Sequence, residues 1–240
     1  MLRFLIKPRW LAFTLAMIAV TMLMVNLGFW QLRRLDERRA FNATVSARVT
    51  ADPVALEPRW IVPEPGPGAT PNPDDEVALS TSVADAEWRV VALTGEYGKT
   101  TESLPATGSY QLISPLTTSD GVAVLINRGS IATTADLPAM PQGPMTIVGR
   151  IRRVPPGLVG RGVMTYIELV SSTPSDAAGI TPLPLPTLDE GPHLSYALQW
   201  FFFSGCAVIG WLLAVRRSAR SRRSGLAGLK ASQRAVPWQR

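Results

Sequence analysis

The chain is poor in the residues that most often carry chemistry. Its 240 residues include one histidine, His193, and one cysteine, Cys206. A single cysteine excludes an intramolecular disulfide, so any outward-facing domain must be held by its core alone. No His/Cys cluster for a metal can be assembled from one of each. A G-x-S-x-G elbow and a phosphate loop are also missing, and the spacing of the 18 acidic residues marks no catalytic pair. The chain is therefore read as a non-enzyme.

Charge is absent from two long stretches, Trp10 to Leu32 and Leu194 to Val215. Each is long enough to cross a hydrocarbon core of about 30 Å at about 1.5 Å per residue. In lipid the backbone polar groups must be satisfied within the segment, so both stretches are read as transmembrane helices. The first exceeds a signal-peptide core, and Trp30-Gln31-Leu32-Arg33 is no cleavage site, so it is expected to remain as an anchor.

Acidic residues are absent outside Asp36–Glu190. That segment holds 11 Lys/Arg against 18 acidic residues, a net of −7, while the remaining 13 basic residues flank the spans. The overall charge of +6 is thus no ground for nucleic-acid binding. Arg216, Arg217, Arg220, Arg222, Arg223, Lys230, Arg234 and Arg240 follow the second span with no acidic partner. By the positive-inside rule both termini are expected in the cytoplasm and the central region outside. Arg33, Arg34, Arg38 and Arg39 sit against this rule, which makes them candidates for a specific task. The expected divisions are a cytoplasmic 1–9, a first span 10–32, an extracytoplasmic β-rich domain 33–193, a second span 194–215 and a basic cytoplasmic tail 216–240. The fold class is a membrane protein with two transmembrane α-helices flanking a β-rich (α+β) domain.

Within the domain, the first helix is expected to continue beyond the membrane until Pro53. A proline-rich loop over 53–73 follows, read as an extended surface segment. Five strands are predicted: 88–97 with a bulge or bend at Gly95, 110–116, 122–129, 146–152 and 164–169. Thr118–Gly121 joins the second and third as a hairpin. Asn127-Arg128-Gly129 ends a strand, either as a charged rim or as a partner-facing arginine. Arg150, Arg152 and Arg153 are read as a solvated or lipid-facing edge.

The sharpest candidate is His193, since imidazole is the commonest biological ligand of haem iron. Helical spacing places Tyr196, Ala197 and Trp200 on its face. Asn26, Trp30 and Arg33 or Arg34 share a face of the first helix, and guanidinium groups match propionates. The alternative is interface anchoring, because Trp, Tyr and His are enriched at membrane boundaries for their mixed polarity.

Taken in order, several motifs resemble the Surfeit-locus family of cytochrome oxidase assembly factors. They are Leu27-Gly28-Phe29-Trp30-Gln31 with Arg34, Trp88-Arg89-Val90 with Gly95-Glu96-Tyr97, Ser114-Pro115-Leu116, Val124–Gly129, and His193-Leu194-Ser195-Tyr196-Ala197-Leu198-Gln199-Trp200-Phe201. The family often has asparagines where this chain has Gly191-Pro192, and Thr where it has Gln199. The resemblance implies two spans around an outward domain and a role in assembling haem–copper terminal oxidases, with haem a bound transiently for delivery to the main subunit. It implies a cofactor site of His193 (as iron ligand), Trp30, Arg33, Arg34, Tyr196 and Trp200. The expected partners are oxidase subunits, haem a synthase and the lipid bilayer. A scaffold that binds no cofactor and stabilises the oxidase or a respiratory supercomplex is the alternative. With 21 Arg against 3 Lys and a span that begins almost at once, a bacterial plasma membrane is expected.

Overall fold

The computed structural model describes residues 3–66, 72–135 and 137–234. Pro67 and Pro71 of the proline-rich loop and the tail from Ala235 lie outside the described residues, as do the tail's side chains from Arg222 on. The elements in order are α1 (Pro8–Val49), β1 (Val54–Ala55), α2 (Pro73–Ala86), β2 (Val90–Tyr97), β3 (Glu102–Ala106), β4 (Ser109–Thr118), β5 (Ala123–Ile131), β6 (Met145–Arg153), β7 (Thr165–Thr173) and α3 (His193–Arg234). Helices α1 and α3 are both long and apolar enough to cross a membrane. Their large apolar side chains, Met22, Leu23, Phe202 and Leu213 among them, are exposed, as lipid-facing groups must be. The protein is a membrane protein whose two apolar helices flank a β-rich domain.

The chain forms two compact units. One contains α1 up to Asn42 together with the chain from Asp189 on; the other is Ala43–Leu188. In the second unit the strand order is β1-β2-β6-β7-β5-β4-β3, and an additional β2–β4 pairing closes β2, β6, β7, β5 and β4 into a five-stranded barrel. Closure removes the free edges that an open sheet would present. Gly95 sits at the corner, paired both with Met145 of β6 and with Thr118 of β4. A side chain there would collide with the β4 backbone, first with the Thr117 carbonyl oxygen. The glycine expected to mark a bend is therefore the point where β2 changes partners.

The barrel interior is filled from alternate strand positions: Val91 and Leu93, Leu116, Val124 and Ile126, Ile147 and Ile151, Ile167 and Leu169. Trp60 closes it from the loop after β1. Thr165 Oγ1 accepts from the Val62 backbone N–H and donates to the Trp60 carbonyl, so the loop backbone is pinned to β7. The reading of 53–73 as an extended surface segment is thus corrected for Pro58–Val62, where Trp60 and Val62 are core residues. Helix α2 was not anticipated either. Pro73 at its first turn and Asn72, whose side chain accepts from Asp75 N, start it, and Asp74, Asp75 and Glu76 complement its N-terminal dipole.

Three other expectations change. Trp88 has a left-handed φ of 70° and forms the turn out of α2, so β2 begins at Val90. Arg128 is neither a rim charge nor partner-facing. Its side chain is fully buried, paired with Asp176, donating to the Ala139 carbonyl and lying 5.6 Å over the Tyr97 ring. Arg150 and Arg152 meet Glu168 at 3.4 and 3.1 Å in a largely buried cluster rather than a solvated edge. Arg150, Arg152 and Glu168 alternate with the interior residues Ile151 and Ile167, so they lie on the outer face of the barrel wall. There Arg150 also donates to the Leu183 carbonyl and Arg152 meets Glu87. Like Arg128, each arginine tolerates burial because it finds a carboxylate.

Candidate functional site

The helix pair is built on a seven-residue repeat. On α1, Thr14, Thr21, Gly28, Leu35 and Asn42 recur every seventh residue, with Met17, Met24, Gln31 and Arg38 between them. On α3, His193, Ala197, Trp200, Ser204, Ala207, Trp211 and Ala214 follow the same alternation and are buried or half-buried. A 3.5-residue period keeps one stripe of each helix against the other. The stripe is rich in small residues, which let helices approach closely in lipid.

Four contacts fix the register along this seam. Trp211 Nε1 donates to Thr14 Oγ1 at 3.2 Å. The Phe201 ring lies against the bare Cα of Gly28 and meets Phe29 edge-on, with ring centroids 5.3 Å apart. His193 Nδ1 lies 2.9 Å from Gln31 Oε1. Beyond it, Asp189 O accepts from Arg38 Nε at 3.0 Å and from Asn42 Nδ2 at 2.9 Å, while Arg39 holds Glu190 through two bonds of 2.8 and 2.9 Å. Two of the arginines that sit against the positive-inside rule therefore clamp α1 to the start of α3.

The contact between His193 and Gln31 has a chemical consequence. An amide oxygen only accepts, so Nδ1 is the nitrogen that carries a proton toward it, and in the neutral imidazole with this pairing Nε2 holds the free lone pair. That tautomer suits a metal ligand, with Gln31 in the orienting role that carboxylates or carbonyls often take behind ligating histidines. The donor chemistry at His193 thus fits an axial haem ligand. Among the described residues no cluster of three or more His, Cys, Asp or Glu could hold a bare metal ion.

The other expected site residues do not all converge on His193. Trp200 lies in the seam, half-buried, one ring edge on Phe203. Trp30 and Tyr196 are 46% and 47% exposed. Arg34 is turned to Glu37 at 2.5 Å. Arg33 comes two residues after Gln31, about 200° round the helix, and is exposed on the far side of α1 from the seam. Asn26, Trp30 and Arg33 do share a face, but it is not the face that meets His193. Among the described residues no hydrogen bond or ion pair joins Arg33 to His193. Gln31, left out of the expected site, is the residue that touches the imidazole.

A SURF1 family profile matches residues 18–205, from within the first span to within the second. The chain belongs to the SURF1 family. SURF1 proteins are in general assembly factors of cytochrome oxidase and are not known as enzymes. Similar relatives include SURF1-like proteins of Mycobacterium bovis and of two Mycobacterium tuberculosis strains. Each is 26% identical over 265 aligned positions, covering 95% of this chain and 91% of the relative. The relatives carry no assigned activity in their names, so the SURF1 assignment sets the class of process and leaves the chemistry to the residues.

Proposed function

We propose that this SURF1 protein serves the assembly of a haem–copper terminal oxidase by holding haem a at His193 and passing it to the main oxidase subunit. The setting is a bacterial plasma membrane, with both termini cytoplasmic, and oxidase subunits and haem a synthase are the partners. The observation that carries this reading is the 2.9 Å contact from His193 Nδ1 to Gln31 Oε1. It joins the end of the first span to the start of α3, and in the neutral tautomer Nε2 would be the ligating atom. Haem would supply the redox centre of the finished oxidase; this chain's residues hold and orient it. Gln31 sets the imidazole plane, Trp200 lies two turns further along the same seam, and the surrounding apolar helices exclude water. Tyr196, one turn after His193 and exposed, would border the same pocket, whereas Trp30, Arg33 and Arg34 lie on other faces of α1 than Gln31.

The test is to co-express the protein with a haem a synthase, purify it and record its absorption spectrum. The reading predicts a haem a spectrum that is lost in His193→Ala. Equal haem content in His193→Ala removes the ligand role. A haem-free chain that co-purifies stoichiometrically with the oxidase would favour the scaffold that binds no cofactor.

A further inference from the structure

The face of α1 that turns away from His193 carries its own arrangement. An open groove of about 450 Å³ runs beside Thr21, Met22, Val25, Asn26, Phe29 and Arg33. A second, almost wholly apolar groove of about 350 Å³ continues from it between the helices, past Ile18 and Met17 to Trp211. Thr21 and Met22 line both, so the two adjoin. The guanidinium of Arg33 and the amide of Asn26 lie toward the domain-side end of the open groove. Arg33 forms none of the ion pairs among the described residues, although Asp36 and Glu37 are close in sequence. Asn26 lies inside the charge-free run, exposed, on the same face. An exposed amide at that depth is costly unless something in the bilayer bonds to it.

We propose that this groove is a binding site for an anionic phospholipid. Arg33 pairs with the phosphodiester, a match of charge and of forked donors. The exposed Trp30 indole sits at the glycerol level, where tryptophan is favoured. Asn26 Nδ2 donates to an ester carbonyl, and one acyl chain follows Phe29 and Val25 to Met22. The lengths agree: Arg33 to Met22 is about 16 Å of helix at 1.5 Å per residue, close to half of a roughly 30 Å core, the depth of one leaflet. The site explains why an unpaired arginine stands on the side of the span that the positive-inside rule disfavours. It is independent of haem binding at His193.

The full-length protein, delipidated in mild detergent, is titrated with phosphatidylglycerol or phosphatidylcholine of identical palmitoyl-oleoyl chains, and retained lipid is counted by native mass spectrometry. Phosphatidylglycerol is expected to be retained about fivefold over phosphatidylcholine, the scale of one basic residue at an anionic lipid surface. Arg33→Gln abolishes that preference. Met22→Trp, which fills the groove, lowers retention of both lipids, and Leu212→Trp on an exposed face of α3 changes neither. Asn26→Leu, a substitution that favours membrane insertion, also lowers retention. Equal retention of the two lipids by the unaltered protein overturns the proposal, as does an Arg33→Gln variant that keeps the preference. Loss of bound haem a in Arg33→Gln with lipid retention unchanged would likewise overturn it and give this face to the cofactor.

Discussion

Arg39 and Glu190 face each other across the domain-side ends of α1 and α3 in a two-pronged ion pair, Nε to Oε1 at 2.8 Å and Nη2 to Oε2 at 2.9 Å. The guanidinium holds the Glu190 carboxyl below its ordinary range, first through the hydrogen bonds and also through its charge. The carboxylate in turn raises Arg39. A carboxyl depressed in the folded state contributes stability above its unfolded value of about 4.3 and loses it as the pH falls through the lower folded value. Both side chains are about half exposed, so the effect is small and sensitive to salt. Thermal unfolding of Glu190→Gln against the parent should show a gap at pH 7 that closes as the pH falls through the lowered range of the Glu190 carboxyl and narrows at high salt. A gap that persists unchanged in acid would show that the pair is not what Glu190 contributes.

Gly28 is a point of close approach in the seam. A Cβ there would lie 2.6 Å from the Phe201 ring, and that ring is itself held edge-on by Phe29. Gly28→Ala should therefore cost about 1–3 kcal/mol of helix pairing, the usual range for overpacking, even though alanine is the better helix former. The double variant Gly28→Ala/Phe201→Ala should recover part of it. A cysteine pair placed at Thr14 and Trp211 would report pairing by crosslinking yield. An undiminished yield in Gly28→Ala would mean that the helices do not meet at this glycine.

In the domain, Arg128 and Asp176 form the most buried ion pair, with side chains 0% and 10% exposed. Removing one partner leaves the other charge without compensation. Asp176→Ala is expected to destabilise the domain by about 3–5 kcal/mol. Arg128→Met combined with Asp176→Ala should cost less than Asp176→Ala alone, because an apolar side chain of similar volume needs no partner. Denaturant titration followed by tryptophan fluorescence, with Trp60 and Trp88 both buried, would measure the difference. The order of the two variants decides the matter; a double variant weaker than the single one would show that Asp176 acts through something other than Arg128.

Much of this architecture could be read along the chain because it depends on local pattern. The charge-free runs mark α1 and α3, and alternation marks β2, β4, β5, β6 and β7, each within a few residues of the observed ends. What was missed depends on partners distant in sequence. Barrel closure rests on β2 pairing with β4 as well as β6, and nothing local to Gly95 states that. Arg128 reads as a strand-end charge until Asp176, 48 residues later, folds over it. Helix α2 was hidden by the prolines before it, although Asn72-Pro73-Asp74-Asp75-Glu76 is itself a helix-start signal. At the site, grouping by shared helix face put Asn26, Trp30 and Arg33 together correctly but took their face for the one turned to His193. The recurrence of Thr14, Thr21, Gly28, Leu35 and Asn42 every seventh residue was the signal that would have placed Gln31 opposite the histidine.

Gln31 offers the most discriminating test of the proposed haem role, because it touches His193 without being a ligand itself. If His193 Nε2 binds iron, the amide oxygen at Nδ1 fixes the tautomer and the ring plane. Loss of such an orienting partner typically lowers metal affinity about 10–100-fold. In protein loaded by co-expression with a haem a synthase, Gln31→Leu should therefore lose haem faster on dilution while the helix pair stays intact, since leucine suits the bilayer. Gln31→Glu keeps an acceptor opposite Nδ1 and should retain haem, with the absorption bands shifted because a carboxylate strengthens the imidazole as a donor to iron. A merely structural role for the contact predicts a different pattern. Gln31→Leu and Gln31→Glu would then change stability alone, and neither would move the bands of any haem that remains. Bands unmoved in Gln31→Glu, alongside haem loss in His193→Ala, would mean that the histidine binds through Nδ1 after breaking its contact with Gln31.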